Sequence, residues 1–254
     1  MDRQAIDFND SLDVFITPIS GKEGMLSLNY TFKNQRIHRR NMFSPNHGYG
    51  FSVNHDMVTS AIWGDLDYNK TSVDLFTHQK VGPLSFYSRG RYEKLSGKPL
   101  PQDQLGIFDI PNYYIAGSFV PGREYMSPRG FSGARDGDQA FMRTVELRAP
   151  AAPFNVVEVL KMIQLGNPTV ALISDFGNAW KSDEEKEDLI MTTGLEFRLA
   201  LSLAKSPLFI FSYGWAQLLR KWGNDLEKLA EMEEGDVIDV GPKPYFQMTL
   251  INPF

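Results

Sequence analysis

The sequence predicts an all-β fold: an antiparallel, up-and-down sheet of the kind that forms a transmembrane β-barrel. Three observations carry this. First, the chain ends Y-F-Q-M-T-L-I-N-P-F, in which Phe246, Met248 and Leu250 share one parity with Phe254, while Gln247 and Thr249 take the other. Period-two alternation marks a strand with unlike faces, and an apolar strand that ends on an aromatic suits the closing strand of a barrel. Asn252 and Ile251 interrupt the pattern near the end. Second, the alternation recurs upstream. Leu195, Phe197, Leu199, Leu201 and Leu203 oppose Glu196, Arg198, Ala200 and Ser202, so the second face of a greasy strand meets water. Third, there is no run of 18 or more apolar residues, which excludes an ordinary membrane helix but not a barrel strand. A soluble antiparallel sandwich also alternates and is the competing fold.

Taken in order, strands are expected near residues 11–19, 25–35, 49–59, 66–78, 83–95, 139–149, 169–180, 190–204, 207–218 and 244–254. Most are about ten residues long, the length of a tilted membrane strand. In the 25–35 segment Leu26, Leu28, Tyr30 and Phe32 alternate with Ser27, Asn29, Thr31 and Lys33. In the 207–218 segment Phe209, Phe211, Tyr213 and Trp215 oppose Ser212, Gly214 and Ala216. Short connections are expected at Gly21–Gly24, Gln79–Gly82 and Lys205–Pro207. The segment 96–138, rich in Gly and Pro, reads as one long loop with no clear strand. Such a loop is foreign to a compact soluble domain but can fold into a barrel lumen. Lys181–Asp188 is a solvated charge run. Leu218–Glu234 spaces Leu219, Trp222, Leu226, Leu229 and Ala230 as a short surface helix in a loop, with a floppy insert as the alternative, and Asn155–Leu165 is open between helix and strand.

Composition narrows the function classes. The chain has 254 residues, 42% of them hydrophobic and 13% aromatic, with no cysteine and a formal net charge of −5. Its mean hydropathy is −0.29 and its pI about 5.4. The charge argues against a general nucleic-acid binder, and disulfides and thiolate metal sites are impossible. His38, His47, His55 and His78 lack metal-ligand spacing. Gly130-Phe131-Ser132-Gly133 is not a nucleophile elbow, and no phosphate-binding glycine loop occurs. No catalytic residue, metal or cofactor is expected. Arg36, His38, Arg39 and Arg40 form a basic cluster between two strands, open between a solvated turn and a contact for acidic headgroups.

The long loop contains Ser127-Pro128-Arg129-Gly130-Phe131, followed by Gly133 and Asp138. A strand ending Val145-Glu146-Leu147-Arg148-Ala149-Pro150 comes next. Then comes V-A-L-I-S-D-F-G-N-A-W, Val170–Trp180, with three further strands after it. This order resembles the bacterial surface antigen superfamily of outer-membrane β-barrels, the BamA, TamA and two-partner secretion transporter type. The resemblance covers essentially the whole chain and is strongest from Tyr113 onward. Pro128 departs from the hydrophobic residue usual before the arginine. The resemblance implies that residues 1–254 are the C-terminal portion of a larger barrel of about sixteen strands. It also implies that Arg129, Gly130 and Phe131 form the tip of a loop folded into the lumen. Function would be assembly, insertion or translocation of polypeptides (or lipid) at the bacterial outer membrane. Partners would be outer-membrane lipid, client polypeptides and a fused or associated periplasmic domain. An anchor or export channel behind a periplasmic β-propeller or hydrolase is the alternative within the class, and a soluble β-sandwich binding module is the alternative outside it.

The residues support the loop reading separately. Glu146 shares parity with Thr144 and Arg148, and Asp175 with Ala171, Ile173 and Gly177, so both carboxylates face the lumen. Two inward carboxylates on adjacent strands need a cation, and the planar guanidinium of Arg129 can fork to both. Gly130 permits a tight turn, and Phe131 can wedge against the wall.

Overall fold

The computed structural model describes residues 24–35, 47–62, 64–100, 104–108, 113–116, 128–131, 134–151, 156–160, 163–183, 189–203, 206–219 and 242–250. They form β1 (Met25–Gln35), β2 (His47–Val58), β3 (Asp67–Val81), β4 (Leu84–Lys98), β5 (Leu105–Phe108), β6 (Tyr113–Ala116) and β7 (Ala134–Gly137). The rest are β8 (Gln139–Pro150), β9 (Val156–Leu160), β10 (Ile163–Trp180), β11 (Ile190–Leu203), β12 (Ser206–Leu219) and β13 (Lys243–Leu250). No helix occurs among the described residues. One sheet runs in the order β1-β2-β3-β4-β8-β10-β11-β12-β13-β6, with β9 also paired to β10, while β5 and β7 form a separate pair. Every pairing in the large sheet is antiparallel except that of β13 with β6. β1 and β13 are not paired among the described residues, so the sheet is open there.

The eight long strands expected from 25–35 through 207–218, together with the final one, are present in an up-and-down order. The boundaries differ where turn chemistry decides. β3 continues to Val81 and β4 starts at Leu84, so the turn is Gly82-Pro83 and not Gln79–Gly82. Gly82 has φ +61°, which a two-residue II′ hairpin demands at its first position. β10 begins at Ile163 and not at 169, and its register shifts between Gly166 and Thr169, where Pro168 removes a ladder donor. Within the open segment 155–165, residues 156–160 and 163–165 are strand, in keeping with β-branched Val156, Val157 and Val159. Residues 206–207 belong to β12 rather than to a turn, and so do Leu218 and Leu219. The remainder of the expected helix lies outside the described residues, as do the expected strand at 11–19, the Arg36–Arg40 cluster and Phe254. The long loop required a clear correction: β5, β6 and β7 all fall within 96–138. They are four residues each, too short to show a period.

Two faces with opposite chemistry result. On β11, Leu195 and Phe197 are 55% and 42% exposed, while Glu196 between them is 2% exposed. Leu28 and Tyr30 of β1, Leu172 of β10 and Tyr213 and Trp215 of β12 stand on the same exposed side. The inner face is polar along β1–β4, where Asp74 pairs with Arg89 and Glu93 with Arg91 and Lys70. Hydrophobic burial on this face sits where the loop segments cover it. Leu105 and Ile107 of β5 pack with Phe131, Val58, Tyr68, Leu95, Ala140, Ala179 and Ile190. This apolar cap lies at the end of the sheet that carries the longer connections. It gives the loop strands β5 and β7 a wall to rest on.

Candidate functional site

A tight turn builds the site. The Phe131 N–H donates to the Pro128 carbonyl at 3.1 Å, and Gly130 has φ +77°. A positive φ at the third of four residues defines a type II turn, which presents Arg129 at its second corner. A Cβ on Gly130 would lie 2.5 Å from the Ala216 carbonyl oxygen of β12, so only glycine lets the tip press against that strand. Gly177 of β10 does the same from the wall: a Cβ there would meet Ile107 at 2.8 Å and Pro128 at 3.2 Å. Pro128 is fully buried.

Arg129 lands on three carboxylates. Its Nε donates to Asp175 Oδ2 at 2.7 Å and its Nη2 to Asp175 Oδ1 at 2.8 Å, while its backbone N–H donates to Oδ2 at 3.0 Å. Nη1 donates to Glu196 Oε2 at 3.1 Å and lies 3.1 Å from Glu146 Oε1. The Thr144 hydroxyl donates to Asp175 Oδ1 at 2.9 Å. Glu146 is clamped from its other side: Arg198 Nη1 and Nη2 donate to its two oxygens at 2.8 Å each, and Arg148 Nε donates at 2.6 Å. Arg198 Nε also donates to Glu196 Oε1. The Tyr245 hydroxyl of β13 donates to Glu196 Oε2 at 2.6 Å. The Arg148 guanidinium stands 4.2 Å from the Tyr87 ring centroid, a cation–π contact.

Three guanidiniums, Arg129, Arg148 and Arg198, thus balance three carboxylates, Glu146, Asp175 and Glu196, all of them buried. Burial alone would lower the Arg129 pKa, but the carboxylates of Asp175 and Glu196 outweigh it and hold the guanidinium well above its ordinary range. Register makes room for the cluster. Arg148, Ala171, Glu196, Gly214 and Tyr245 lie in one row across five strands, and the next row holds Glu146, Ile173, Gly194 and Ala216. Ala171, Gly194, Gly214 and Ala216 are small, so the long charged side chains and the loop tip fill the space above them.

The structure brings Arg129, Glu146 and Asp175 together, with Asp175 taking the fork and Glu146 the lesser contact. Phe131 is buried in the apolar cap. Phe246 and Met248 lie on β13, where Phe246 is exposed on the outer face with its ring near Phe211. Leu250 ends β13, and Phe254 lies beyond the described residues. Sequence reasoning missed Glu196, Arg198, Arg148 and Tyr245 as members of the network. The signal was there in part, because L-E-F-R-L and E-L-R each set a Glu and an Arg two apart on the polar face.

No group of three or more His, Asp or Glu side chains suited to a metal occurs among the described residues. The chain matches no protein-family model and no curated protein. The arrangement fixes the loop tip across the inner wall through Asp175 and Glu196.

Proposed function

We propose that this chain is the C-terminal portion of an outer-membrane β-barrel of the surface-antigen type, which inserts or translocates polypeptides (or lipid) at the bacterial outer membrane. The observation that carries the reading is the Arg129 network: a loop tip bound through a charge-balanced cluster to the inner face of a sheet whose outer face is apolar. A soluble sandwich would bury Leu195, Phe197 and Leu172 between its layers, and all three are exposed. In lipid such side chains keep the transfer free energy of about 25 cal/mol per Å² that water would deny them. Interior strands that alternate apolar-out and polar-in, longer connections at one end and outward rings such as Phe209, Phe211 and Phe246 all suit a membrane barrel. The fixed loop narrows the lumen, so passage or insertion of a client would require it to shift.

The test is reconstitution of the full-length protein into liposomes, with its own folding checked by heat-modifiable mobility. Faster insertion of an added unfolded barrel protein than into empty liposomes, or passage of an added polypeptide into the vesicles, is the expected result. Vesicles holding folded protein that do neither would contradict the translocating function and favour the anchor reading.

A further inference from the structure

We propose that Arg143 and Lys94, on the outer face of β8 and β4, hold the two phosphates of a bisphosphorylated disaccharide lipid. The lipid would lie in the leaflet on the side of the 96–138 loop. The inference rests on the membrane reading and names a lipid that this part of the wall selects. Among the described arginines of the large sheet, Arg89, Arg91, Arg148 and Arg198 turn inward and meet carboxylates. Arg143 does not. Its neighbours along β8 point inward, Met142 against the apolar cap and Thr144 to Asp175, so Arg143 points outward, where it is exposed. Among the described residues no carboxylate pairs with it. Further along β8 the same face continues as Val145 and Leu147. A guanidinium beside hydrocarbon is costly unless it reaches the headgroup layer or an anion.

The surroundings select the anion. Gly90 of β4 stands opposite Arg143, and a Cβ there would meet nothing within 4 Å. The wall therefore has a notch beside the guanidinium, with Leu75 of β3 beyond it, 54% exposed. An acyl chain fits such a notch. Lys94 lies on the same face of β4, opposite Gln139 and also exposed. The strand rise sets it roughly 13 Å from Gly90. Between the two cations the Tyr92 hydroxyl donates to Gln139 Oε1 at 2.7 Å, and Gln139 Nε2 donates to the Ser182 hydroxyl at 2.8 Å. The carboxylates of these two strands, Glu93 and Glu146, both face inward to arginines. The outer face of β4 and β8 thus offers a cation, a polar strip and a second cation, next to an apolar notch. A glycerolipid with one phosphate would leave one cation unmatched. Two phosphates carried across a sugar headgroup match both, with the polar strip against the sugar. The guanidinium can fork to its phosphate, and the ammonium meets the other as a point charge.

The test uses the full-length protein refolded into phosphatidylcholine vesicles that contain a trace of spin-labelled bisphosphorylated disaccharide lipid. The motionally restricted fraction of the label gives its association with the protein relative to spin-labelled phosphatidylcholine. A preference of several-fold is expected. Arg143→Gln should bring it close to one, and Lys94→Gln, or a lipid with only one phosphate, should lower it in part. Gly90→Leu fills the notch without altering charge and should also lower it. Lys33→Gln, on the inner face, should leave it unchanged. Folded protein with no preference, or a preference indifferent to Arg143→Gln and Gly90→Leu alike, would overturn the proposal and leave the membrane reading standing. Inorganic phosphate that abolishes the preference, where chloride at equal ionic strength does not, would show a site for a free anion and overturn the lipid assignment. Protein that never enters the vesicles would overturn the membrane reading and this proposal with it.

Discussion

At the scale of single residues, Arg129 decides whether the inner wall is coherent. Its side chain closes a cluster in which each carboxylate has at least two donors. A buried ion pair is poor evidence for net stability, because desolvating the charges offsets much of their attraction. Breaking one from a single side is different: it strands the opposite charges and costs about 3–5 kcal/mol, against about 0–1 kcal/mol for an exposed pair. Arg129→Ala should therefore lower stability to urea by an amount in the first range, and should open the 96–138 segment to externally added protease. Arg129→Lys should rescue poorly, because an ammonium keeps the charge but cannot fork to Asp175 while reaching Glu196. A loss under about 1 kcal/mol for Arg129→Ala would place the guanidinium in solvent. The partner choice at this scale was only half legible in the sequence. Parity placed Glu146 and Asp175 inward, since parity needs no knowledge of neighbours. Glu196 and Tyr245 become partners only through the register that sets them in one row with Gly214, and a single sequence does not contain that register.

At the scale of elements, the loop docks because glycines on both sides leave room for it. Gly130→Ala meets two penalties at once, a positive φ and the Ala216 carbonyl, and should cost about 1–3 kcal/mol. Gly177→Val should push against Ile107 and Pro128 and have a similar effect on protease access to the loop. Gly90→Ala, where a Cβ would meet nothing within 4 Å, should stay within about 0.5 kcal/mol of the parent. Equal effects at Gly90 and Gly177 would show that the loop does not rest on β10. The long strands were readable from sequence because their two faces differ at every step. β5, β6 and β7 were not, for a physical reason. Four residues around Leu105 and Ile107 gain their order from the wall they pack on, through contacts with Leu95, Ala140 and Ala179. A local pattern does not record that wall.

At the scale of the whole molecule, one inversion sets the character of the sheet: the buried charges lie on the face that the loop tip covers and large exposed apolar side chains lie on the other. If lipid covers the outer face, a charge there is expensive and a charge inside is not. Leu195→Arg should destabilise the folded protein in bilayers by about 2–4 kcal/mol if it lies near the midplane. Asn29→Lys, on the same inner face of β1 as Lys33, should cost far less. Equal losses at the two sites would remove the distinction between the faces.

The most direct measurement is a spin-label scan of β11 in bilayers. The cysteine-free chain allows single labels at each position from Thr193 to Ser202 in turn, with accessibility to oxygen and to a water-soluble nickel complex recorded at each. Labels at Leu195, Phe197, Leu199 and Leu201 should be accessible to oxygen and shielded from nickel, with the intervening positions showing neither the same exposure nor the same phase. Leu195 and Phe197 labels that are open to nickel, or immobile and closed to both reagents, would place that face in water or in a protein core and contradict the membrane barrel.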